Sequence, residues 1–149
     1  MLDVTTVDLL LKALLATVVI EGCVASFLYW ASRASDRERE MPFFPRGKWY
    51  FCRLLTVVLL VNFLTNPTIN LILFGVPNEV LDDPAKRYSI VAALEFGVWV
   101  VESFLFYSLG GIRPVGGAIL FAFALNATSY FCGDLMGAIG YWDWKIFFR

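Results

Sequence analysis

Residues 50–75 read YFCRLLTVVLLVNFLTNPTINLILFG. After Arg53 the run carries no charge, and as a helix it is long enough to cross the ~30 Å hydrocarbon core of a bilayer. Asn62, Asn66 and Asn70 interrupt it at every fourth position, so they form one stripe on a helix. Pro67 removes a backbone N–H and frees a carbonyl one turn back, near Phe63, so a kink is expected there. A membrane tolerates such a break where neighbouring helices or a hydrated cavity satisfy the backbone.

Working outward, three further runs have the same character: Leu9–Trp30, Tyr88–Gly110 and Val115 to Gly137. Composition agrees. Of 149 residues 59% are hydrophobic and 17% charged, with mean hydropathy +0.69; soluble domains average about 25% charged. The expected fold is an all-α membrane protein: one transmembrane domain over residues 1–149, with spans at 9–30, 50–75, 88–110 and 115–137. The connecting segments of about 19, 12 and 4 residues make neighbouring spans antiparallel, in an up-down bundle with short loops. Tyr29, Trp30, Trp49, Tyr50, Tyr88, Tyr107, Tyr141, Trp142 and Trp144 flank the runs as interfacial anchors, and Lys12 snorkels from the first. The start, MLDVTTVDLL, is acidic where a signal peptide is basic, so the first run is expected to be retained as a span.

Seven of the twelve Lys and Arg residues fall in or beside the first and third loops, six of them around the first. By the positive-inside rule, loop 31–49 is expected in the cytoplasm and both termini outside, in a plasma (inner) membrane. Pro42 and Pro45 end any helix in that loop, Phe43 and Phe44 are expected at the interface, and 76–87 reads as a turn-rich acidic loop.

Glu21, Glu95 and Glu102 stand inside the runs with no Lys, Arg or His at comparable depth. An ionisable residue there is costly and points to function. Such a group is protonated, bonded to polar neighbours, facing water or holding a cation. Glu21, Asn62, Glu102 and Asn126 fall near one level, so they are the expected proton or cation site, with Glu95, Asn66, Asn70 and Asp134 along an outward access path. Asn and Thr in membrane helices also serve as plain interhelical glue; three unpaired carboxylates are harder to explain that way.

Two hairpins can be aligned: VVIEG around Glu21 with VVES around Glu102, and Asn62-Phe-Leu-Thr65 with Asn126-Ala-Thr-Ser129. Both would have the same membrane sense, so their axis would run along the membrane normal. Gly22 with Ser26, Ala118 with Ala122 and Gly133 with Gly137 are small pairs suited to close helix approach.

The absences narrow function. With no histidine, Ser–His catalysis and His metal sites are excluded. Three scattered cysteines, Cys23, Cys52 and Cys132, form no CxxC and read as buried small apolar side chains. No P-loop, dinucleotide fingerprint or HExxH occurs, and a net charge of −1 gives no footprint for nucleic acid. The leading expectation is a small polytopic protein binding or translocating a cation (a proton, Na⁺ or a divalent metal), alone, as a homo-oligomer or in a larger membrane complex. The alternative is a non-catalytic accessory or assembly subunit whose polar stripe bonds a partner helix. A third is a membrane-embedded enzyme acting on a lipid-like substrate with Glu95 and Glu102 as acid and base; it lacks a basic cluster to hold a phosphate, so a non-enzymatic role is preferred. An inward-facing stripe favours the first and an outward-facing one the second. The sequence names no cofactor and no metal.

Overall fold

A computed structural model describes residues 4–35, 43–47 and 49–138. The described residues contain helices and no strands: α1 (Val4–Ser35), α2 (Tyr50–Phe74), a single turn α3 (Asn78–Leu81), α4 (Pro84–Ser108) and α5 (Val115–Ala138). All but α3 are long and apolar enough to cross a membrane. Each coincides with one of the four expected spans, with shifted ends.

Local chemistry explains the shifts. α1 is longer at both ends than 9–30 because charge does not stop a helix: Lys12 pairs with Asp8 one turn earlier, at 2.6 Å. α4 begins four residues before Tyr88 because Asp83 caps it, its carboxylate accepting from the Ala85 and Lys86 N–H groups, with Pro84 in the first turn. The segment expected as a loop gains α3, whose Leu81 is buried. α2 runs through Pro67 as continuous helix. α4 ends in a glycine turn: Gly111 adopts a positive φ of 69°, and the Ile112 N–H reaches back to the Phe106 carbonyl.

α1 packs against α2 and α5, and α4 against α5 and more lightly against α2. The interior has a repeated register. On α2 the buried residues are Tyr50, Leu54, Val57, Val58, Val61, Asn62 and Thr65; on α5 Ala118, Phe121, Ala122, Leu125, Asn126 and Ser129 match those from Leu54 onward in relative position, the last two half-buried. Glu21, Ala25 and Tyr29 on α1 likewise correspond to Glu102, Phe106 and Gly110 at the end of α4. Over these positions the aligned hairpins share one pattern of burial.

One end of the interior is aromatic. Phe44, expected at an interface, is 1% exposed and packs on Tyr29, Tyr50 and Phe121, with ring centroids 5.6–6.1 Å apart. Phe43 lies over Gly117, where an added Cβ would come within 2.6 Å of its ring. Tyr50 donates to the Gly110 carbonyl at 2.7 Å, and Arg53 donates twice to that of Leu109. Of the expected anchors, Tyr29 and Tyr50 are thus core residues, while Trp30, Trp49 and Tyr88 are exposed.

The outer surface is apolar. Val19, Phe27, Leu60, Phe63, Phe96, Phe104 and Phe131 all point outward, so an apolar exterior surrounds an interior in which Glu21, Asn62, Thr65 and Glu102 are the buried polar residues among those described. Cys23 and Cys52 share that outward face, correcting their reading as buried side chains, and Cys132 is half-buried. Ala118 and Ala122 do serve close packing, whereas Gly22 faces open space. The surroundings of Gly133 and Gly137, the side chain of Asp134, most of the first loop and residues 139–149 lie outside the described residues.

Candidate functional site

Four helices converge on two carboxyl groups. Glu21 on α1 and Glu102 on α4 are 2% and 1% exposed. Asn62 Nδ2 donates to Glu21 Oε2 at 2.7 Å, and Ser129 Oγ lies 3.1 Å from Glu21 Oε1. Asn126 Nδ2 makes a short hydrogen bond to Glu102 Oε2, and Thr65 Oγ1 lies 2.9 Å from Glu102 Oε1. Each carboxyl thus has an amide on one oxygen and a hydroxyl on the other.

The partners are crossed between hairpins. The amide comes from the helix paired with the glutamate's own: α2 serves Glu21 on α1, and α5 serves Glu102 on α4. The hydroxyl comes from the other hairpin: Ser129 on α5 reaches Glu21, and Thr65 on α2 reaches Glu102. On both α2 and α5 the hydroxyl follows the asparagine by three positions, on the same helix face.

The four central residues predicted from sequence are therefore brought together. Glu95 is half-buried on α4, has no hydrogen bond or ion pair among the described residues, and lies within electrostatic range of Glu21 and Glu102. Asn66 donates to Thr17 on α1 at 3.2 Å and accepts from Asn70 at 2.9 Å, so these two asparagines bond to their neighbours, not to the glutamates. Sequence reasoning had not assigned Thr65 and Ser129 to the site. The only available signal was the aligned pair of motifs, Asn62 to Thr65 and Asn126 to Ser129.

Among the described residues no Lys or Arg pairs with Glu21 or Glu102, no buried side-chain nitrogen or oxygen lacks a hydrogen-bond partner, and no three Asp, Glu, Cys or His residues are grouped to hold a metal ion. The donor set is mixed. Two amide N–H groups point at the carboxyl oxygens, where a metal would require oxygen atoms. An arrangement of carboxyls, amides and hydroxyls can take up, hold and release a proton. Neither a protein-family model nor a curated protein nor a solved structure matches this chain.

Proposed function

We propose that the protein is an integral membrane protein of four antiparallel spans that binds and exchanges protons at Glu21 and Glu102. The observation that carries this reading is the burial of two fully hydrogen-bonded carboxyls, with no basic partner among the described residues, inside a helix assembly with an apolar exterior. Intramembrane carboxyls of this kind suit proton relays. Burial of Glu21, Asn62, Thr65 and Glu102 also supports an inward-facing stripe over one that docks a partner helix. A proton fits the donor set better than Na⁺ or a divalent ion, for which the amide N–H groups are wrongly placed. Glu95 would stand between the pair and the aqueous phase, toward the side of the termini, with loop 31–49 cytoplasmic.

The test is proton flux through purified protein in liposomes under an imposed pH gradient, with Glu21→Gln and Glu102→Gln alongside. Glutamine keeps the hydrogen-bonding pattern of a neutral acid and cannot release the proton. Flux in the wild type and its loss in both variants is the expected result. Folded wild-type protein that neither passes nor takes up protons would overturn the reading in favour of an accessory subunit.

A further inference from the structure

We infer that Thr65 and Ser129 are proton-positioning residues: each hydroxyl reverses its hydrogen bond to a glutamate as that glutamate gains or loses a proton, which fixes the proton on Oε1 and selects it over metal cations. The inference rests on the proton-exchange reading above.

The argument is a count of hydrogens. A hydroxyl carries one. Thr65 Oγ1 lies 2.9 Å from Glu102 Oε1 and 3.0 Å from the Val61 carbonyl. Ser129 Oγ lies 3.1 Å from Glu21 Oε1 and 3.0 Å from the Asn126 carbonyl. One hydrogen makes one full hydrogen bond, shared between two acceptors it makes two weaker ones, and a carbonyl cannot donate. Both contacts are full hydrogen bonds only when the carboxyl itself is the donor.

Two states follow. In the neutral state the Glu102 Oε1–H donates to Thr65 Oγ1, whose own hydrogen goes to the Val61 carbonyl. When the proton leaves, the threonine hydrogen turns to the Glu102 carboxylate. Ser129 does the same for Glu21, with the Asn126 carbonyl as its second acceptor. Neither state strands the hydroxyl, and the heavy atoms need not move.

The amides have no such freedom. Asn62 Nδ2 spends one hydrogen on Glu21 Oε2 and the other on the Val58 carbonyl at 3.1 Å. Asn126 Nδ2 divides its two between Glu102 Oε2 and the Ala122 carbonyl at 3.0 Å. Because those carbonyls only accept, they hold each amide with its N–H₂ toward the carboxyl. Oε2 is therefore an acceptor in both states, and the proton resides on Oε1. A metal cation between the carboxyls would face these N–H groups and have to turn them away. The titratable groups facing the pair are the two glutamates themselves on α1 and α4, and Glu95 on α4; α2 and α5 face it with amides and hydroxyls.

The test is infrared difference spectroscopy across a pH titration of the full-length protein in liposomes. Carboxylic-acid carbonyl bands are assigned by their loss in Glu21→Gln and Glu102→Gln, and proton flux is measured on the same samples. Thr65→Val, close to isosteric, should move the Glu102 band to higher frequency and reduce flux, while Thr65→Ser should restore both. Ser129→Ala should do the same to the Glu21 band and leave the Glu102 band in place; it carries the test if the valine variant fails to fold. A titrating Glu102 band that does not move in Thr65→Val, or a Glu21 band unmoved in Ser129→Ala, would overturn the hydroxyl role and leave proton exchange standing. Absence of any titrating carboxylic-acid band in folded wild-type protein would overturn proton exchange itself.

Discussion

The bond between Asn62 and Glu21 offers a direct energetic test. Both side chains are at least 98% buried, on different helices, 2.7 Å apart. Interhelical hydrogen bonds in membrane proteins average about 0.6 kcal/mol by double-mutant cycles and reach about 1.7. This one belongs near the upper end. It is short and dry, and losing it leaves a carboxyl oxygen without a donor, a defect that costs about 1–3 kcal/mol. We therefore expect a coupling energy of about 1.5 kcal/mol between Asn62→Leu and Glu21→Leu. The assay is reversible unfolding in mixed micelles of the wild type, both single variants and the double variant. Thr56→Val paired with Glu21→Leu is the control, since Thr56 is exposed and bonds only its own helix at the Cys52 carbonyl; that pair should be additive. Additivity of the Asn62 and Glu21 substitutions within about 0.5 kcal/mol would refute the argument, because the two side chains would then not be bonded in the folded protein.

Two further outcomes follow from the same geometry. Gly117→Val should destabilise the protein by about 1–3 kcal/mol, the usual cost of overpacking, because a Cβ there meets the Phe43 ring at 2.6 Å; combining it with Phe43→Ala should recover part of that loss, read by thermal unfolding in detergent. Glu95→Gln should leave stability within about 0.5 kcal/mol of the wild type, since Glu95 holds no hydrogen bond among the described residues, and should slow proton flux without abolishing it; unaltered flux would remove Glu95 from the access path.

The four long helices were legible because their signal is crude: some twenty apolar residues with almost no charge. Their ends were not, since ends depend on single contacts such as the Asp8–Lys12 pair and the Asp83 cap. Glu21, Glu102, Asn62 and Asn126 stood out because such residues are rare in apolar runs. Thr65 and Ser129 did not, and the reason is physical. A hydroxyl on a membrane helix can always bond its own backbone, as Thr17, Ser26, Thr56, Thr68, Ser103 and Thr128 do here. Only tertiary structure separates the two that also face a carboxyl. Phe44 escaped for a similar reason: an aromatic pair between prolines looks interfacial until Tyr29, Tyr50 and Phe121 are seen to enclose one ring.

The crossed partners also explain what differs between the hairpins. Apolar positions exchange volume freely: Leu54 faces the interior where its counterpart is Ala118, Val57 corresponds to Phe121, and Ala25 to Phe106. Packing needs only that the summed volume fill the space, so a small residue on one helix can be offset by a large one on another. The polar positions have no such latitude. Glutamate matches glutamate, asparagine matches asparagine, and a hydroxyl matches a hydroxyl. Remove an amide or a hydroxyl and a buried carboxyl oxygen loses its partner; remove a glutamate and the amide and hydroxyl lose theirs. Nor can either hairpin complete its own site, because each lends its hydroxyl to the other's glutamate. The two hydroxyl contacts that complete the carboxyls therefore also tie the two hairpins together, and at the lightly packed α2–α4 seam the Thr65–Glu102 bond adds to those that Tyr50 and Arg53 make to the Gly110 and Leu109 carbonyls at the end of α4.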